Sequence, residues 1–182
     1  MIKAFVGGSR KISRLNSEVH QKLDGLVAEN LAIIVGDAPG VDKSVQQYLH
    51  ARGYRDVEVF CSGDRCRNNL GNWPTRQVVV NSIRRDFDFY ATKDLRMSEE
   101  ASFGLMIWDG ESAGTLMNVL RLIKQNKSVI VFQAPENRFV ELKTESEWKD
   151  FFSACSDEVR RRIEKLSASD SKAAAPIQAS LL

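Results

Sequence analysis

No apolar run in this chain approaches the ~20 residues needed to cross a bilayer, so a membrane-spanning helix is not expected. Cysteine is scarce, with only Cys61, Cys66 and Cys155. An odd number at irregular spacing does not read as a secreted disulfide framework. Cys61 and Cys66 have no second Cys/His pair nearby, so no metal site is read there. Histidine is limited to His20 and His50, both on helical patterns, and neither is assigned a catalytic role. Charge of one sign is lacking too. With 26 basic and 24 acidic residues the net charge is +2, which disfavours a nucleic-acid coat protein or a polybasic membrane binder. The opening Met-Ile-Lys-Ala-Phe-Val-Gly-Gly runs into a strand-like stretch and then glycines rather than a signal peptide, and a cytoplasmic location is expected.

What is present is ordinary globular material: 182 residues, 43% hydrophobic and 27% charged, enough for one domain with an appendage. Short apolar runs alternate with helical patterns, the mark of a parallel sheet covered by helices. Strands are expected at Ile2–Val6, Leu31–Val35, Val57–Phe60, Phe87–Ala91, Phe103–Trp108 and Ser128–Phe132, with an edge strand at Phe139–Leu142. Helices are expected at 15–29, 41–52, 75–83, 92–101 and 115–125, then at 145–153 and 156–166. The fold class is α/β, a Rossmann-like three-layer sandwich with a mainly parallel sheet and helices on both faces. Residues 1–143 form the nucleotide-binding core, 144–166 are C-terminal helices packed on it, and the polar, small-residue stretch 167–182 reads as a mobile tail.

Three strands end in glycine-bearing turns that open helices: Gly7-Gly8-Ser9-Arg10, Gly36-Asp37-Ala38-Pro39-Gly40-Val41-Asp42, and Asp109 to Thr115. Such turns lie at the carboxyl end of a parallel sheet, where open α/β folds bind ligands. Glycine admits close backbone approach, and a helix N-terminus adds unpaired N–H donors and partial positive charge, a seat for phosphate. Neither a P-loop nor G-x-G-x-x-G is present, so ATP hydrolysis and dinucleotide redox chemistry lose their main support, and no cofactor is expected.

In order and placement, Val6-Gly7-Gly8-Ser9-Arg10, Val35-Gly36-Asp37-Ala38-Pro39-Gly40-Val41-Asp42 and Trp108-Asp109-Gly110-Glu111-Ser112-Ala113-Gly114-Thr115 resemble the SLOG superfamily. That group gathers Rossmann-like proteins related to the cytokinin-activating phosphoribohydrolases, the DNA-processing protein A family and bacterial proteins with a G-S-R … G-x-A-x-G-x-D pattern. The resemblance implies a nucleotide-derived ligand cradled by the first and last loops. The implied ligand-binding residues are Gly7, Gly8, Ser9, Arg10, Gly36, Asp37, Gly40, Asp42, Ser112, Gly114, Thr115 and Asn118. It also implies association of identical copies, with helices 145–166 as the candidate interface.

One departure matters. The phosphoribohydrolases carry a glutamate where this chain has Asn118, and an amide cannot act as a carboxylate base. Asp109 and Glu111 are the candidate catalytic substitutes, acting on the N-glycosidic bond of a nucleoside 5′-monophosphate. Asp109 reads equally as a turn aspartate, Glu111 as a solvated charge, Asp42 as a helix cap and Arg10 as a surface residue. The Arg-rich stretch 65–96 carries a local surplus of four positive charges (seven basic against three acidic residues) and reads as a solvated face or, less favoured, a polyanion contact. Three functions follow: a nucleotide N-glycosidase, a non-catalytic nucleotide sensor or sequestering protein, and a DNA-processing-type binder of single-stranded DNA.

Overall fold

The computed structural model describes residues 1–78 and 87–173, and the side chains of all but 87–89 and 171–173 among them. The strands are β1 (Lys3–Gly8), β2 (Ala32–Gly36), β3 (Val57–Ser62), β4 (Thr75–Val78), β5 (Phe103–Trp108), β6 (Val129–Gln133) and β7 (Arg138–Leu142). The helices are α1 (Ser17–Ala28), α2 (Val41–Ala51), α3 (Phe87–Glu100), α4 (Ala113–Lys124), α5 (Glu145–Ser153) and α6 (Asp157–Ala173). One seven-stranded sheet runs in the order β4-β3-β2-β1-β5-β6-β7. All neighbours are parallel except β6 and β7.

Strand alternation sorts the core into two faces, as a pleat of period two requires. Phe5, Ile34, Phe60, Met106 and Trp108 pack on one side with Met97 of α3, Leu116 and Val119 of α4, Trp148 of α5, and Val159 and Ile163 of α6. Their strand neighbours Ala4, Val6, Ile33, Val35, Leu105 and Ile107 pack on the other with Val19 and Leu23 of α1 and Val45 and Leu49 of α2. Helices thus cover both faces of the sheet, the expected three-layer arrangement. Caps set the helix starts: Asn16 accepts from Val19 N–H at 3.0 Å, and Thr144 forms a capping box with Glu147.

Four local expectations need correction. Phe87–Ala91 is the first turn of α3, not a strand; aromatic strand preference is context-dependent, and one continuous helix buries Ala91 and Met97 together, with Ala101 just beyond its end. Thr75–Val78 is an edge strand paired parallel to β3, not a helix start, and the rest of that expected helix lies outside the described residues. Ser167 does not end the ordered chain, because α6 continues to Ala173, while 174–182 lie outside the described residues. Cys61 and Cys66, whose spacing does not read as a disulfide framework, are joined by a disulfide, and Cys61 is buried in β3, which runs past its expected end at Phe60.

Helices α1 and α2 follow β1 and β2 outward on one side of the sheet, and α4 follows β5 on the other. The winding therefore reverses between β1 and β5, the position where doubly wound sheets open a crevice at their carboxyl ends.

Candidate functional site

A cavity of about 670 Å³ occupies that crevice. The loop after β1 supplies Gly7, Gly8, Ser9, Arg10 and Lys11, and the loop after β5 supplies Asp109, Glu111 and Ser112. From α4 come Gly114, Thr115 and Asn118, and from α2 comes Asp42. Eleven of the fourteen residues singled out from sequence line this one space; Gly36, Asp37 and Gly40 lie just outside it. The volume falls within the ordinary range for small-molecule sites.

The α4 turn is built by the sequence around it. Asp109 Oδ1 accepts from the backbone N–H of Ser112 at 2.7 Å and of Glu111 at 3.1 Å, while Oδ2 accepts from the Ser9 hydroxyl at 2.6 Å. Burial raises the proton affinity of Asp109, but these hydrogen bonds more than offset it and hold the carboxyl below its ordinary range. Its oxygens are therefore committed to fixing the two loops together. Ser112 is the N-cap of α4 and accepts from Thr115 N–H, leaving the N–H groups of Ala113 and Gly114 at the helix mouth. Gly114 does not have positive φ, and a Cβ there would meet nothing within 4 Å. Its use is the open space before it. Glu111 is an exposed residue paired with Lys11 at 2.6 Å.

The opposite wall comes from α3. Lys93 is only 3% exposed, and its ammonium lies 3.4 Å from Asp94, 3.6 Å from Asp37 and 3.9 Å from Asp42. Burial lowers the proton affinity of Lys93, yet the three carboxylates outweigh it and keep the ammonium charged. Asp37 is gripped by Arg67, through the backbone N–H at 3.0 Å and the guanidinium at 2.6 and 3.1 Å. Burial alone would raise Asp37; Arg67 and Lys93 bring it below the ordinary range. Asp42 differs. Burial, opposed by Lys93 and reinforced by Asp94, pushes it up to about 6. It is not the cap of α2, whose N-cap is Gly40; instead its Oδ2 accepts from Ala38 N–H at 3.2 Å.

Two glycines are required by close approach. A Cβ at Gly36 would overlap both Asp42 Oδ2 and Lys93 Nζ. Gly40 takes φ of 80° and presses against the Arg10 backbone, locking the first two loops together. Arg10 is exposed, as its surface reading has it, and its guanidinium lies 4.9 Å over the Tyr90 ring, with Arg67 at 4.5 Å from the same ring.

Asn118 connects the walls. Its amide donates to Asp94 at 3.4 Å and its oxygen accepts from Arg121 at 2.7 Å. Arg121 is 5% exposed and binds Asp170 of α6 at 2.7 and 2.9 Å. Helix α6 thereby reaches the cavity with Arg162 and Lys165, and among the described residues neither forms an ion pair. Sequence reasoning missed Tyr90, Lys93, Asp94, Met97, Arg162 and Lys165. The first four stand at helical spacing from 90 to 97; Lys93, Asp94 and Met97 fall in the expected helix 92–101, and only Tyr90 is cut off from them by the expected strand Phe87–Ala91. The solvated-face reading of 65–96 also fails for Lys93 and Arg67, which point inward at Asp37.

Fold and crevice together define a doubly wound α/β protein with a cavity of mixed polar and apolar lining at the switch point. No protein-family model and no curated protein matches the chain. Among solved structures the chain is similar to DNA processing protein A from Helicobacter pylori, described for its single-stranded DNA binding mode. The TM-score is 0.56 at 13% identity, covering 92% of this chain and 81% of that one, a likeness of fold. No helix among the described residues is long and apolar enough to cross a membrane.

Proposed function

We propose that this cavity binds a phosphate-bearing nucleotide without turning it over. The observation that carries the reading is the meeting of the open α4 mouth at Ala113 and Gly114 with Arg162 and Lys165, two cations without an ion-pair partner among the described residues. Phe5, Ala91, Met97 and Tyr90 supply an apolar side for a base. The motif resemblance to the SLOG superfamily points the same way. Hydrolysis through Asp109 is poorly supported by geometry: Oδ1 already accepts from two backbone N–H groups and Oδ2 from the Ser9 hydroxyl, which ties the carboxylate to the two loops rather than to a reacting sugar.

Thermal melting tests the reading. Nucleotides should raise the melting temperature and plain nucleosides much less; saturation at a hundred times Kd corresponds to about 2.7 kcal/mol. Mass spectrometry of small molecules released by heat would identify a co-purifying ligand. A broad nucleotide screen without any shift refutes the proposal.

The fold likeness to DNA processing protein A favours a second reading, in which the nucleotide is one unit of a single DNA strand. The strand would then follow Lys11, Arg162 and Lys165 along the cavity mouth. Steeply salt-dependent binding of a single-stranded oligonucleotide, tighter than that of a mononucleotide, would support it.

A further inference from the structure

Among the described residues, Asp42, Asp37 and Asp94 face only two cations, Lys93 and Arg67. One negative charge is left over in a buried place. It falls on Asp42, which is 7% exposed and lines the cavity. Its Oδ2 is used by the Ala38 N–H, but no donor among the described residues reaches Oδ1. Among the described residues the one buried side-chain polar atom without a partner is Ser62 Oγ, so Asp42 Oδ1 is not sealed off: it opens on the cavity, where a ligand can supply the donor that the protein does not.

The chemistry of that donor is constrained by its surroundings. A phosphate is repelled by Asp42 and Asp94. A metal ion or ligand ammonium would have to share the carboxylates with Lys93 Nζ, which already lies 3.4 Å from Asp94 and 3.9 Å from Asp42. A neutral hydroxyl suffers neither repulsion and supplies the missing hydrogen bond. Asp94 offers a second acceptor on the same wall, its Oδ2 held only by a long 3.4 Å contact from Asn118. Two carboxylates flanking one ammonium suit two neighbouring hydroxyls.

We propose that the Asp42–Lys93–Asp94 wall is the subsite for the vicinal hydroxyls of a ribose, so that the protein selects ribonucleotides over their 2′-deoxy counterparts. This rests on the nucleotide reading given above and fixes the orientation of the ligand. The phosphate lies toward α4 and α6, the sugar toward α3, and the base against Phe5 and Met97. Lys93 acts as a positioning residue: it holds the carboxylates ionised and in place rather than touching the sugar.

The test uses the full chain and isothermal titration calorimetry, at a pH where Asp42 is ionised. The probes are the four ribonucleoside 5′-monophosphates, their four 2′-deoxy counterparts and inorganic phosphate. For the ribonucleotide that binds best, the expected preference over its deoxy form is at least tenfold, or about 1.4 kcal/mol. In Asp42→Asn the preference should shrink to about threefold or less, since an amide that keeps its bond to Ala38 offers the sugar an N–H in place of an acceptor. Asp94→Asn, at a partly exposed position, serves if Asp42→Asn does not fold; circular dichroism accompanies both. Equal binding of ribo and deoxy forms by the wild type overturns this subsite while leaving the nucleotide reading intact. A preference for the deoxy form, or discrimination that survives in both folded variants, overturns it as well. If no nucleotide binds, both proposals fall together.

Discussion

The two walls of the cavity handle charge in opposite ways. On the α3 side Asp37, Asp42, Lys93, Asp94 and Arg67 are buried or half-buried against one another and nearly neutralise themselves. On the α4–α6 side, backbone N–H groups, Arg162 and Lys165 stand before open space, with no ion-pair partner for either cation among the described residues. The first wall is assembled when the protein folds. The second is left incomplete until something anionic arrives. Damage to the α3 wall should therefore register first as reduced stability, and damage to the α4–α6 wall as weakened binding.

The comparison is broken most severely at Asp37. Removing this buried carboxylate strands Arg67 and takes from Lys93 one of its three carboxylates, and breaking one partner of a buried ion pair costs about 3–5 kcal/mol. Asp37→Ala should lose stability of that order in denaturant unfolding. A loss below about 1 kcal/mol would show that the network is open to water.

The next effect belongs to Asp42 and pH. Its folded-state value of about 6 lies above its ordinary 3.8. The folded protein therefore holds a proton there that the unfolded chain has already released. The contribution to stability is complete below about pH 4 and is lost as pH rises through about 6. Asn at this position has no proton to lose, while Lys93 stays charged throughout that window. Asp42→Asn should thus gain on the wild type between about pH 4 and 7, approaching about 3 kcal/mol at about 1.4 kcal/mol per tenfold of proton affinity. A pH-independent difference in unfolding free energy would remove the strained carboxylate from the account.

How much of the molecule is legible in its sequence differs between the walls. The glycine turns, the parallel sheet implied by βα alternation and the convergence of the first and last loops follow from short-range patterns: apolar runs, glycines and the Ser112 turn. The α3 wall is hidden for a local reason. Phe87-Asp88-Phe89-Tyr90 has strand-like composition, and starting the helix at 92 separates Tyr90 from Lys93, Asp94 and Met97, with which the single helix aligns it. Arg162 and Lys165 are hidden for a global one. Their spacing shows only a polar helix side; what turns that side toward Gly114 is the Arg121–Asp170 pair, 49 residues apart in sequence.

The open wall is tested next. Gly114→Val places a branched side chain in empty space at the helix mouth, where nothing of the protein lies within 4 Å. The variant should fold normally and bind nucleotide at least tenfold more weakly, about 1.4 kcal/mol. Arg162→Ala with Lys165→Ala should weaken binding to a similar degree with little change in melting. If a folded Gly114→Val protein binds as the wild type does, the phosphate seat lies elsewhere in the cavity.

The smallest effect is expected from Arg76 and Arg96, and it sharpens the comparison because sequence alone puts them in the same basic stretch as Lys93. Arg76 bridges Glu58 and Glu100, and Arg96 pairs with Glu99 three residues on. These are exposed pairs of opposite charge, each worth about 1 kcal/mol or less. Their cations are already answered by carboxylates and do not line the cavity. Arg76→Gln with Arg96→Gln should leave nucleotide affinity within about twofold and shift unfolding free energy by no more than about 1 kcal/mol. The salt dependence of single-stranded oligonucleotide binding separates the two groups of cations. Every phosphate that a substitution leaves without its cation lowers the slope by about one. Neutralising Arg162 and Lys165 should lower the slope by about two, and neutralising Arg76 and Arg96 should leave it unchanged. The reverse result would place the polyanion on the outer face of β4 and α3, and the cavity would then be a feature of the fold rather than the site of binding.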